Sequence, residues 1–322
     1  MTLSFPERVI GTAYPARDLL AVEPVATGNR RGTAVVWFAD ARPVVVQWSP
    51  DIDALRVEAA LCREIRDRTA VPVPQTHSVG TLDGVGYALR EYRAGGDLHR
   101  AFTAFDSESR QRLVATFGRY LGDLHEAFRF DGAGPLALAE SAGAADVDPA
   151  TLVPTGDDDW QRAYGRRAVE RLPAAFDPLR DRLRECLASA SPASGPCRLF
   201  PWDLRPGNAL VDGDAITAVV DWEAPAAATP ALAAAKVAYL TAAWYDVETA
   251  RLRGAFREGY ESVRPWPAVG PADRVAAIAD SAVDSRGRVT NPGYPEYGRE
   301  RAIDWHRAAL VDALGDRAGV DA

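Results

Sequence analysis

The sequence predicts an α+β protein of two lobes: a small antiparallel-sheet lobe with one helix over residues 1–93, and a larger, mainly helical lobe over 94–322. Two observations predict it. Up to about residue 93, short apolar runs alternate with turn residues, as strands of an antiparallel sheet do. After Ala94, Gly95 and Gly96, apolar residues recur every three or four positions, the period of a helix. A chain of 322 residues is also long enough to bury two cores.

Taken in order, AVEPVATG (21–28), GTAVVWFAD (32–40), RPVVVQWSP (42–50) and GVGYALREY (84–92) read as strands. Between the third and fourth lies a helix. Ser49 and Pro50 form a cap and first-turn pair, and Ile52, Leu55, Ala59 and Cys62 then recur at helical spacing until the extended VPVP at 71–74. In the second lobe, Leu113, Phe117, Leu121, Leu124 and Phe128 mark one apolar stripe, opened by a cap at Asp106 or Ser107. Residues 138–148 and 189–196 are small and polar and predict loops or flexible connections. The alanine-rich run 224–235 leads into a helix, and from 231 onward helices are joined by Pro and Gly turns.

Composition narrows the function. A formal net charge of −8 disfavours nucleic-acid binding, which needs clustered cations against phosphates, and leaves room for a small, polar or cationic partner. No stretch approaches the roughly 20 apolar residues of a membrane helix. The start, MTLSFPERVIG, has no basic segment followed by an apolar one, which predicts a cytoplasmic protein. Three cysteines, Cys62, Cys186 and Cys197, stand at unrelated spacings and read as buried thiols. Of the 37 basic residues only Lys236 is a lysine.

The chemistry concentrates in LFPWDLRPGNALVDGDAITAVVDWE, residues 199–223. Asp203 is followed by Asn208, a short hairpin turning at Asp212, Gly213 and Asp214, and then Asp221. The hairpin returns Asp221 alongside Asn208, where both can share one metal ion. Phosphoryl transfer needs these parts: a carboxylate to take the proton of the attacking hydroxyl, oxygen ligands for magnesium, and fixed positive charge, which Arg205 offers.

This order, D-x-x-x-x-N, apolar hairpin, D-W-E, resembles the catalytic and metal-binding loops of the aminoglycoside and choline kinase group, small-molecule phosphotransferases with the protein-kinase-like fold. The resemblance implies Asp203 as catalytic base, Asn208 and Asp221 as magnesium ligands, and Glu223 as a metal contact or a support behind the ligands. GRYLGDLHEA (118–127) is similar to the helix before the catalytic loop. REYRAGGDL (90–98) is similar to the hinge, where backbone groups of Glu91 and Tyr92 would meet adenine. ATP, or GTP, with Mg2+ and a small-molecule hydroxyl acceptor follow as expected partners.

The resemblance also marks departures. The family's third strand carries a lysine that grips the phosphates and pairs with a helix glutamate; Glu58 stands in the glutamate's place, but the strand offers Gln47. With Lys236 the only lysine, any cation there is an arginine, with Arg30, Arg31 and Arg42 as candidates. TGNRRG (27–32), with Gly28, reads equally as a thin phosphate-binding loop or an ordinary hairpin turn. Pro201 and Trp202 replace the family's His-Gly before the catalytic aspartate, and TPALA (229–233) replaces an aspartate-bearing segment. These changes raise an alternative: a pseudokinase, a nucleotide- or ligand-binding module with little transfer activity.

Overall fold

The N-terminal part is built on a five-stranded antiparallel sheet. β1 (Leu19–Pro24), β2 (Gly32–Phe38) and β3 (Val44–Ser49) follow α1 (Phe5–Ala13). After α2 (Ile52–Arg68) come β4 (Thr76–Leu82) and β5 (Val85–Glu91), giving the spatial order β1-β2-β3-β5-β4. The computed structural model describes residues 3–25, 31–139, 151–157, 159–189 and 195–315. Strand β2 alternates buried and half-buried residues because Ala34, Val36 and Phe38 face inward. Val9 and Ile10 of α1 pack with Val36, Val44 and Val46 in a small core.

Two features differ from the sequence expectation. α1 and β4 are additional elements; β4 is an edge strand whose side chains are half-buried or exposed, so it lacks the apolar alternation that announces a strand. Helix α2 is capped two residues later than Ser49–Pro50 suggests: Asp51 is the cap, its carboxylate accepting from Ala54 N at 3.0 Å, while Ser49 Oγ accepts from Asp51 N at 3.1 Å.

The C-terminal part opens with β6 (Gly96–Asp97), α3 (Leu98–Ala101) and α4 (Ser107–Ala127), the last capped by Asp106 through Ser109 N at 2.7 Å. Then come β7 (Arg129–Phe130), β8 (Gly134–Leu138), β9 (Leu152–Pro154), α5 (Trp160–Arg171) and α6 (Asp177–Ala188). β10 (Cys197–Phe200), β11 (Ala209–Asp212), β12 (Ala215–Val219) and β13 (Ala226–Ala228) carry the catalytic segment, and α7 (Pro230–Ala242), α8 (Thr249–Glu261), α9 (Pro271–Ser281) and α10 (Arg299–Ala313) complete the fold. The alanine run thus divides into strand β13 and helix α7, separated by Thr229, whose hydroxyl caps α7 through Leu232 N. Most of the expected loop at 138–148, and residues 190–194 of the expected loop at 189–196, lie outside the described residues.

Helices α4 and α8 approach to backbone contact. A Cβ on Gly118 would stand 2.0 Å from the Phe256 carbonyl oxygen, and one on Gly259 2.0 Å from that of Ala115. β6 pairs with β11, tying the segment that leaves the first sheet to the hairpin beyond Asn208. Among the described residues no helix is long and apolar enough to cross a membrane. Cys62 and Cys197 are buried free thiols, and Cys186 is half-buried.

His125 and His306 are fully buried, bonded at 2.8 and 2.7 Å to the hydroxyls of Tyr260 and Tyr239. Burial pushes His125 down to about 3, with Arg264 and Arg198 adding to the effect, and His306 down to about 4. In the unfolded chain both titrate near pH 6.5. Below that pH the unfolded state binds more protons, so stability is lost as pH falls. From pH 7 to pH 5.5 the pair should cost roughly 2–3 kcal/mol, read as a lower urea midpoint; a flat profile would contradict buried neutral histidines.

Candidate active site

β10 leads through Pro201 and Trp202 to Asp203. Trp202 has φ 39°, and beyond the hairpin Asp221 and Ala224 have φ 63° and 50°. Such left-handed backbone costs on the order of 1–3 kcal/mol per residue and persists where the surroundings impose it, typically at functional sites. The Trp202 ring is fixed by Tyr164 at 5.6 Å, Phe200 at 5.8 Å and the Lys236 ammonium at 5.6 Å. Asn208 Nδ2 donates to the Asp203 carbonyl at 2.9 Å and to Asp203 Oδ2 at 3.2 Å. Arg205 Nε stands 3.1 Å from Asp203 Oδ1, off the line of a hydrogen bond but close enough for an ion pair. The Asp203 side chain remains 31% exposed, so a small molecule can reach it.

The β11–β12 hairpin does what the spacing of its residues predicts. Ala209 pairs with Val219 and Val220 N donates to Asn208 O at 2.8 Å, so Asn208 and Asp221 leave the hairpin side by side. Burial raises the Asp221 carboxyl to about 7, and Glu223, Glu58 and Asp203 push it further in that direction. A buried carboxyl crowded by three others fits a site completed by a cation. Among the described residues no three His, Cys, Asp or Glu side chains form a metal-holding group. The amide oxygen of Asn208 and the carboxylate of Asp221 are two oxygen donors of the kind magnesium takes when phosphate oxygens and water fill the rest of its shell.

Glu58 lies on the buried face of α2, 1% exposed, with a guanidinium on each carboxylate oxygen. Arg31 pairs with Oε2, and Arg90 Nη2 stands 3.0 Å from Oε1. Arg31 also reaches across the cleft, its Nε 3.5 Å from Glu223 Oε2. Gln47 on β3, between Thr33 and Ala88, faces the same space, and its buried Oε1 has no hydrogen-bond partner.

Asp203, Arg205, Asn208, Asp221, Glu223, Gln47, Glu58, Glu91 and Tyr92 all line one cavity of about 790 Å³. Gly28 and Arg30 lie outside the described residues. Glu91 N is committed to Gln75 O at 2.8 Å, so this N–H is not free for an adenine.

The far end of the cavity holds residues not expected from the sequence. Lys236 of α7 and Asp280 of α9 form a buried ion pair at 2.5 Å, and Arg171 adds a second cation to Asp280 at 3.3 Å. Burial opposes ionisation of Asp280, but Lys236 outweighs it and the carboxyl lies below its usual range. The available signal was the lysine itself: a lone charge inside LAAAKVAYL has no charged neighbour on any helix face and must be paired if buried. Arg90 gave no such signal, because an arginine in REYR, with a second one at Arg93, reads as a solvated strand residue.

A family model described as "Phosphotransferase enzyme family" matches residues 22–271. No curated protein matches the sequence. Among solved structures, a thermostable mutant of the aminoglycoside phosphotransferase APH(4)-Ia, in a ternary complex with AMP-PNP and hygromycin B, aligns over 98% of this chain and 100% of its own with TM-score 0.66 and 14% identity. The GDP and kanamycin complex of APH(2")-IIia aligns over 98% and 99% with TM-score 0.60 and 17% identity. A Thermobifida fusca protein assigned as a fructosamine-3-kinase aligns over 95% and 98% with TM-score 0.57 and 20% identity. At these identities the likeness shows a shared fold, the protein-kinase-like one.

Proposed function

Because the chain belongs to the phosphotransferase enzyme family, we propose that it moves the γ-phosphate of ATP, or GTP, to a hydroxyl of a small molecule. The observation that carries this reading is the convergence of Asp203, Asn208 and Asp221 on one cavity whose opposite wall is the β-sheet lobe. In this reading residues 1–93 form the nucleotide-binding lobe and residues 94–322 carry the catalytic and metal-binding loops. The two neighbours bound to a nucleotide and an aminoglycoside support a cleft of this kind.

Asp203 takes the proton of the acceptor hydroxyl as that oxygen bonds to the γ-phosphorus and the bond from phosphorus to the bridging oxygen breaks, releasing the nucleoside diphosphate; the Asp203 carboxylate is held by Asn208 and Arg205. Arg205 then has a second use, lending positive charge to the phosphoryl group in transit. Asn208 and Asp221 would hold magnesium, with Glu223 adjoining. Bound there, the ion would draw the phosphate charge toward itself and fix the leaving group. Glu91 and Tyr92 border the adenine end, and the acceptor enters past Trp202. Trp202 presents an aromatic face to it, where the alternative of a glycine would leave open space.

Gln47 favours a second reading, a kinase-shaped binding module with little transfer, because the strand supplies no cation. A titration separates the two. Mg·ATP or Mg·GTP at 100-fold excess over its dissociation constant is expected to raise the melting temperature by about 5 °C. ADP release should then follow with at least one member of a panel of sugars, amino sugars and amino alcohols. Stabilisation without ADP from any acceptor would favour the binding module; no stabilisation by either nucleotide would remove the transferase reading and leave only a module that binds some other ligand.

A further inference from the structure

We infer that Arg31, entering from the start of β2, is the residue that grips the nucleotide phosphates, in place of a cation on β3. The inference rests on the nucleotide reading above and concerns the side of the phosphates facing away from Asn208 and Asp221. A triphosphate between two lobes needs positive charge on that side, because the metal ligands leave those oxygens uncovered.

Six cationic side chains line the cavity, and five are held elsewhere. Lys236 and Arg171 share Asp280 at the far end. Arg205 stands on Asp203, on the same side of the cleft as Asn208 and not on the side opposite it. Arg93 pairs with Glu91 at 3.2 Å. Arg90 is held against α2 alone, its Nη2 on Glu58 and its Nη1 donating to Cys62 Sγ at 3.6 Å.

Arg31 differs in kind. Its guanidinium is 9% exposed and spans the cleft, paired with Glu58 of the sheet lobe and 3.5 Å from Glu223, two residues beyond Asp221. It is also close enough to Asp221 to oppose the rise in that carboxyl. Glu58 thereby keeps the work of orienting a phosphate-binding cation, although the cation reaches it from another strand. Gln47, with an unsatisfied Oε1 on the same wall, marks where a lysine on β3 would have projected.

The test compares Mg·ATP and adenosine affinities by calorimetry for the parent, Arg31→Met, Arg31→Lys, and Arg31→Met combined with Gln47→Lys. Loss of a charged hydrogen-bonding partner is expected to weaken Mg·ATP about 10- to 100-fold. Adenosine, which has no phosphates, should bind all four proteins within about twofold. Arg31→Lys should fall between parent and Arg31→Met, and Gln47→Lys should restore at least part of the lost affinity by returning a cation to β3. Equal weakening of adenosine and Mg·ATP would mean that Arg31 only shapes the cleft, and unchanged Mg·ATP affinity in Arg31→Met would also overturn the inference. If the parent itself binds neither ATP nor GTP, it is the nucleotide reading that fails.

Discussion

Replacing Asp203 by alanine is expected to lower phosphotransfer roughly 10³-fold while the melting temperature moves by no more than about 2 °C. The asymmetry follows from the position of the side chain. Asp203 is partly exposed to the cavity, so its loss opens no sealed void. Its carboxylate also adds to the forces that raise Asp221, and removing it relieves that crowding. What disappears is the group that accepts the hydroxyl proton. Asp203→Asn tests the same role with nearly the same shape, since an amide keeps the contact with Asn208 but cannot serve as a base. Steady-state ADP release, with melting curves run in parallel, reads both quantities. Full turnover by either variant would remove Asp203 from the reaction.

Glu58→Ala has the opposite profile, a large effect on the fold. Its carboxylate is 1% exposed and neutralises two guanidinium groups that are themselves only 9% exposed. Truncation takes the carboxylate from between the two cations, leaving Arg90 without its ion-pair partner and Arg31 with only the longer contact to Glu223, and breaking a buried pair in this way costs roughly 3–5 kcal/mol. For a chain of this size the melting temperature should drop by about 10 °C. Glu58→Gln, which keeps the volume and an acceptor oxygen, should lose less. A melting temperature unchanged in Glu58→Ala would show that the cluster is open to water and that solvent already screens it.

The parts legible in the sequence were those written in one short stretch. Asp203, Asn208 and Asp221 lie within 199–223, and the hairpin joining them is set by local turn chemistry, so order and spacing were enough to place them on one cavity. The strands β2 and β3 were equally plain, because inward valines and alanines alternate with less buried residues, and β5 was legible as an apolar run bounded by turn residues. Elements that depend on distant partners were not legible. Strand β4 has few inward apolar residues, and β7, β8 and β13 are short segments whose identity comes only from pairing across the chain. The partners of Glu58 were missed in part for the same reason. Arg31 was among the candidates, but Arg90 is 32 residues away along the chain and meets Glu58 only because β5 lies under α2. Lys236 and Asp280 come together through the packing of α7 on α9, which no spacing announces.

The sealed position of Lys236 has a practical outcome. Among the described residues it is the sole side-chain amine, and at 3% exposure it is closed off behind Asp280 and the Trp202 ring. The folded surface described here therefore presents guanidinium groups but no ε-amine to acylating dyes or crosslinkers. Covalent tagging at position 236 would consequently report an opening between α7 and α9, making a single residue a chemical gauge of how often this end of the cleft breathes.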